Sequence, residues 1–240
     1  LRAQDFKSVV ARLQSRLKTQ EPAEAARPGA PAAPSVPSTP AAPAGATYEL
    51  VQDEARLQWW IDAAIQAGRV AVDTETTSLS PMQAELVGFS LCVEAGEACY
   101  VPLGHVEKDN APAQVNLFGE SAGAGEAKYT LVKNQIPLQR AVEIIKPMLQ
   151  DSSLLKIGQN IKYDMLVCKR YGIEIAPIAD TMLMSYVLNA GSHSHGMDDL
   201  SERYLDYKTI KYDEVTGTGK SRISFAEVAL DKALAYAAED

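Results

Sequence analysis

The sequence predicts an α/β fold, a mixed sheet with helices on both faces. Short apolar runs that read as strands come first, at 69–73, 86–93 and 98–103. Helical and strand patterns then alternate from residue 138 almost to the end. With 240 residues and 46% hydrophobic content, the chain can bury one sizeable core.

The elements justify this in order. Residues 1–20 space Phe6, Val9, Val10, Leu13 and Leu17 at helical intervals and read as the tail of a preceding domain. Residues 21–46 hold seven of the 13 prolines, mixed with Ala, Ser and Gly. That composition cannot bury a core, so it predicts a disordered Pro/Ala linker, and the globular unit is expected from Thr47. Residues 54–67 predict a helix and 69–73 (RVAVD) a buried strand. The runs 86–93 and 98–103 predict antiparallel neighbours. The polar stretch 105–136 reads as a long variable loop. Helices are expected over 138–149, 160–171, 180–188, 197–205 and 225–238, with a short strand at 155–157.

Composition narrows the function classes. The net charge is −8, and the first 46 residues carry six Lys or Arg against three Asp or Glu, so the acidic excess lies in the globular part. Such a surface argues against nucleic-acid binding through a basic face, unless carboxylate-held cations neutralise phosphate. Cys92, Cys99 and Cys168 form no C-x-x-C pair, which points away from zinc and disulfides. No apolar stretch is long enough for a membrane helix, and residues 1–6 contain no signal-peptide core.

Three motifs carry chemistry. Asp73-Thr74-Glu75 ends an apolar strand, where positions i and i+2 share a face and both carboxylates can converge on one ion. Gly158-Gln159-Asn160-Ile161-Lys162-Tyr163-Asp164 follows a short strand. Either Asn160 and Asp164 share a helix face at i and i+4, or Asn160 caps the helix. Tyr236-Ala237-Ala238-Glu239-Asp240 again spaces a polar pair at i and i+4. Two other patterns read as bland. Gly217-Thr218-Gly219-Lys220-Ser221 lacks the first glycine of a phosphate-binding loop, having Glu214 there, and is a flexible turn. His193 and His195 lack further Cys or His partners and read as loop histidines.

In order and type, the three motifs resemble those of the DEDD nucleases, whose fold is ribonuclease-H-like. Tyr-x-x-x-Asp, with Ala235 before it, matches the tyrosine variety. The segments VAVDTETTSL, KIGQNIKYD, DTMLMSYVLN, MDDLSERYL and ALAYAAED resemble the 3′→5′ proofreading exonuclease domain of bacterial family A DNA polymerases, over roughly 50–240. The resemblance implies that Asp73, Glu75 and Asp240 bind one Mg²⁺ or Mn²⁺. Asp73 would bridge to a second ion held also by Asp164, and Tyr236 would orient the attacking water. It further implies that Leu79 wedges near the terminal bases, Tyr212 stacks on a base, and Gln159, Asn160 and Tyr163 touch the terminal nucleotide. Residues 1–20 would be a remnant of a 5′-nuclease domain, and 47–240 the exonuclease domain. A polymerase domain would follow, and the substrate would be a single-stranded or frayed DNA 3′ end. The protein would be a monomer of the bacterial cytoplasm, associated with the nucleoid. Relatives place an arginine near the substrate in the loop that here reads GSHSHG, so one phosphate contact departs from the family pattern. Asp240 is the last residue given, and a helix ending there is expected to fray and to weaken the first metal site. A ribonuclease D-like RNA exonuclease would share all four acids. A non-catalytic spacer of the same fold would not need them.

Overall fold

Strand β1 (Thr47–Leu50) opens the described part of the chain; the computed structural model describes residues 45–109 and 128–240. The expectations for residues 1–44, and for most of the predicted loop, lie outside those residues. Helix α1 (Glu54–Ala67) starts where Asp53 accepts the Arg56 amide at 2.9 Å, and it stops at Gly68, whose φ of 68° suits a residue without Cβ. Leu57, Trp60, Ile61 and Ala64 are its buried stripe.

The chain then makes β2 (Arg69–Thr76), β3 (Leu86–Glu94), β4 (Glu97–Pro102), β5 (Val106–Lys108) and β6 (Tyr129–Leu131). Helix α2 (Leu138–Gln150), β7 (Leu155–Gly158), α3 (Lys162–Arg170), β8 (Ile178–Asp180), α4 (Thr181–Asn189), α5 (Met197–Leu205), α6 (Tyr212–Thr216) and α7 (Leu230–Ala237) follow. The main sheet has the order β1-β4-β3-β2-β7-β8; β2, β3 and β4 are antiparallel, while β1 on β4, β7 on β2 and β8 on β7 are parallel. This is the predicted mixed sheet.

Alternation along β2 divides the core. Val70 and Val72 pack with α1 and α2 residues such as Leu57, Ile61, Ile145 and Met148. On the other face, Tyr100 and Val87 pack with Phe225, Val228, Ala233 and Ala237. Asp73 lies opposite Ser90 and Glu75 opposite Gly88, and Ser90 in turn lies opposite Tyr100. Both carboxylates of the D-x-E motif therefore project toward the face that the C-terminal segment covers.

Several expected elements differ. The predicted 105–136 loop contains β5 and β6, which pair antiparallel, and its ends are clasped by Gln135. That side chain accepts the His105 amide at 2.8 Å and donates to the His105 and Val132 carbonyls at 2.9 and 2.8 Å. Strand β8 was not expected; it ends at Asp180, and the helix expected over 180–188 follows as α4, which Asp180 caps by accepting the Leu183 amide at 3.2 Å. The expected helix over 225–238 is a 3₁₀ turn at Phe225–Glu227 and then α7, with extended Val228 and Ala229 between. The predicted helix over 160–171 begins only at Lys162, because Asn160 adopts φ 56°. Asn160 thus neither shares a helix face with Asp164 nor caps α3; asparagine is among the few residues that tolerate this conformation.

Lys156 of β7 is fully buried, and its ammonium donates to the carbonyls of Asp151 (2.7 Å), Leu154 (2.8 Å) and Ala176 (2.5 Å). Burial lowers its pKa, partly countered by Asp151. Replacing it with methionine keeps the stem but leaves three carbonyls without a donor. Lys156→Met is expected to cost about 3 kcal/mol in denaturant unfolding. An unchanged midpoint would mean that water replaces the ammonium.

Candidate active site

The site forms past the point where β7 stops pairing with β2, at Ala71 opposite Ile157. Beyond it, the Thr74 amide and hydroxyl are taken by Asp164, whose Oδ1 accepts them at 3.0 and 2.5 Å. Asp164 projects from the first turn of α3 and is 2% exposed. Burial raises its pKa to about 6 against the lowering hydrogen bonds from Thr74, and the Asp180 charge adds to the rise. Thr74 was not singled out from sequence; only its place between two acids hinted at a role.

Ligand oxygens of Asp73, Glu75 and Asp240 all lie within 4.8 Å of one another, the only gathering of this kind of three or more His, Cys, Asp or Glu among the described residues. Burial pushes the Asp73 carboxyl well up, and the charges of Asp164 and Asp240 push it further. Glu75 is raised by burial, then by Asp73, Asp240 and Asp164. Its Oε1 is buried and has no hydrogen-bond donor. A buried carboxylate oxygen without a donor, beside two further acids, is a poor arrangement for a protein alone and a fitting one for a hard cation. Asp240 keeps an exposed side, yet protein packed around its carboxyl, then Glu239 and Asp198, raise it to about 7.

Tyr236 stands in α7, and Asp240 lies three residues beyond its end at Ala237, so the pair does not share a helix face as the spacing implied. The expected fraying meets a tether, because Glu239 Oε1 accepts the Ile210 amide at 2.8 Å. Burial raises the Tyr236 hydroxyl far above its usual range, followed by Asp240, Glu75 and Asp73. Its ring packs at 5.7 Å from Phe225 and 6.1 Å from Tyr212, and Tyr212 stacks on Phe225 at 6.2 Å. Phe225 and Arg222, whose guanidinium lies 5.8 Å from the Tyr212 ring, were missed; nothing in their local pattern marks them.

The other residues singled out from sequence are spread around this cluster. Leu79, 95% exposed, lies in the loop after β2. Tyr163 fixes that loop, donating to the Ser78 carbonyl and lying 2.5 Å from Thr76 Oγ1. Gln159 is engaged within the protein, donating to the His195 carbonyl at 2.8 Å and accepting from Thr181 Oγ1 at 2.5 Å. The Asn160 amide donates to Asp180 Oδ1 at 3.1 Å. His193 and His195 have ring centroids 4.9 Å apart, outside the acidic cluster. Residues 217–221 form a glycine turn, with φ of 78° at Gly217 and 59° at Gly219. No helix among the described residues is long and apolar enough to cross a membrane.

Crowded carboxylates should respond to divalent ions. Raised carboxylate pKa values mean that the protonated forms are favoured in the metal-free fold. Their stability is complete below about pH 4 and declines as pH rises through about 6 and 7. A cation reverses this decline, so Mg²⁺ is expected to raise Tm more at pH 7.5 than at pH 5. Thermal melts with Mg²⁺ and with EDTA check it; an equal gain at both pH values would detach the ion from these acids.

The chain is 46% identical over 204 residues to DNA polymerase I of Rhizobium leguminosarum, covering 81% of this chain and 19% of that protein. It is 36% identical over 196 residues to DNA polymerase I of Pseudomonas aeruginosa, covering 80% and 19%. The chain thus spans about a fifth of the curated relatives it matches. The fold is shared with Escherichia coli RNase D, an exoribonuclease involved in structured RNA processing, at TM-score 0.52, 15% identity and coverage of 81% and 41%. The 3′-5′ exonuclease family of A-type DNA polymerases matches residues 48–240, and the chain belongs to that family.

Proposed function

We propose that residues 47–240 remove nucleotides from single-stranded or frayed DNA 3′ ends as the proofreading domain of a bacterial family A polymerase. The polymerase domain would follow in the longer protein, and the setting would be the nucleoid. The observation that carries this reading is the convergence of Asp73, Glu75 and Asp240, with the orphaned Glu75 Oε1, beside Asp164 and the protonated Tyr236.

In this reading Asp73, Glu75 and Asp240 would hold one divalent ion, Mg²⁺ or Mn²⁺, and Asp73 with Asp164 would hold a second. Bound ions would supply charge for the phosphodiester and lower the pKa of an attacking water. The chain's own residues do the rest. The Tyr236 hydroxyl, too hard to deprotonate to act as a base, orients water by hydrogen bonding. Thr74 fixes the rotamer of Asp164. Tyr163 and Thr76 hold the loop that presents Leu79 to the terminal bases, and the exposed edge of Tyr212 offers a stacking face. Asn160 and Gln159 border the terminal nucleotide, Gln159 after exchanging one internal partner. The product is a nucleoside 5′-monophosphate.

The identity to polymerases favours DNA over the RNA substrate of a ribonuclease D-like enzyme, and the full set of acids argues against a non-catalytic spacer. Matched DNA and RNA oligonucleotides with Mg²⁺ decide between them. The expected result is DNA degradation at least about tenfold faster, a difference of about 1.4 kcal/mol. Preferential RNA degradation would replace the substrate assignment, and hydrolysis of neither would leave the spacer.

A further inference from the structure

His105 opens the polar stretch whose sequence reads as a variable loop, yet it is completely buried. Its Nδ1 lies 3.0 Å from the Val228 carbonyl and its Nε2 2.8 Å from the Tyr100 hydroxyl. A carbonyl only accepts, so Nδ1 carries the proton, and Nε2 accepts from Tyr100. Burial lowers the imidazole pKa to about 4, which keeps this neutral form at pH 7. The Tyr100 hydroxyl stays protonated, because burial and then Glu75 and Asp73 raise it.

Each partner leads to one half of the acidic cluster. The Tyr100 ring lies directly on Gly88, where an added Cβ would come within 2.3 Å of the hydroxyl, and Gly88 is the residue opposite Glu75. Tyr100 is therefore the floor beside Asp73 and Glu75. Val228 is in the extended connection immediately before α7, which carries Tyr236 and leads to Asp240. The imidazole also packs 5.9 Å from Phe225, the ring that supports Tyr236. Gln135 clamps the His105 backbone through both its amide and its carbonyl, so the ring has a fixed place from which to hold both sides.

We propose that His105 is a positioning residue for the metal and tyrosine side of the site: it pins the segment bearing Tyr236 and Asp240 to the sheet bearing Asp73 and Glu75. This rests on the exonuclease reading above. Asp73 and Glu75 come from one strand and keep their spacing regardless. Asp240 arrives from a segment more than a hundred residues later, and packing, the Glu239 tether to Ile210 and this bridge set its distance from them. Losing the bridge should loosen the three-carboxylate group without removing any member of it.

The test measures Mn²⁺ binding by calorimetry, together with kcat and KM on a single-stranded DNA oligonucleotide. His105→Leu is expected to weaken Mn²⁺ binding by about 10- to 100-fold, as loss of a residue supporting metal ligands does, and to lower kcat with KM unchanged. His105→Gln, whose amide can donate to Val228 and accept from Tyr100, should recover most of both. Lys156→Met, at a comparable loss of stability but far from this bridge, should bind Mn²⁺ like the wild type. Should His105→Leu fail to fold, Tyr100→Phe removes one hydroxyl and is expected to weaken Mn²⁺ binding several-fold. Wild-type Mn²⁺ affinity in a folded His105→Leu or Tyr100→Phe protein would overturn the proposal, as would equal weakening in Lys156→Met. A wild-type protein that binds no Mn²⁺ would overturn the exonuclease reading as well.

Discussion

Asp73→Ala is expected to lower the rate of 3′-end hydrolysis by about a thousandfold or more, a loss of at least about 4 kcal/mol of transition-state stabilisation. Asp73 sits in the middle of the cluster: its oxygen groups with those of Glu75 and Asp240, while the charge of Asp164 also reaches it. In the proposed mechanism it is the one acid that would serve both ions, so the others would not compensate for its removal. The fold should not suffer. Deleting one of several mutually repelling carboxylates relieves strain in the metal-free protein, so the variant should melt in EDTA no lower than the wild type while gaining little from Mg²⁺. Quenched-flow or gel assays of a labelled oligonucleotide give the rate. An Asp73→Ala enzyme within tenfold of wild type would mean that the ions are held elsewhere.

Tyr236→Phe should slow hydrolysis by about ten- to a thousandfold, the range of a positioning group, with Mn²⁺ affinity nearly unchanged. The ring would keep its packing on Phe225 and Tyr212, so only the hydroxyl is lost. Because that hydroxyl is held far above its usual pKa, the rate should show no basic limb that disappears in the variant. Equal losses of rate and of metal binding would instead make Tyr236 a structural support for Asp240.

How much of this was legible in the sequence depends on the range of the interaction. The D-x-E pair was readable because strand alternation is local: Asp73 and Glu75 do share a face. Helices α1 and α5 match the predicted spans residue for residue. Tyr236 and Asp240 come together as the motif implied, but by a chain that leaves the helix at Ala237, so the spacing pointed to the right residues through the wrong geometry. Asn160 shows the opposite limit, since its left-handed backbone comes with an amide hydrogen bond to a side chain 20 residues away, Asp180. The hydrogen bonds of Thr74 to Asp164 and of His105 to Val228 join residues 90 and 123 positions apart, and no periodicity reports such partners. Strands of three residues, β5, β6 and β8, are too short to show a period.

In the proposed function these carboxylates make a metal-dependent nuclease that works from the 3′ end. Its most direct measurement follows a single-stranded DNA oligonucleotide labelled at the 3′-terminal nucleotide, incubated with the protein in Mg²⁺ and in EDTA. The expected result is immediate release of the label as a nucleoside 5′-monophosphate in Mg²⁺ and none in EDTA. Label that stays on the oligonucleotide, leaves first within longer internal fragments, or is released equally in EDTA would contradict it.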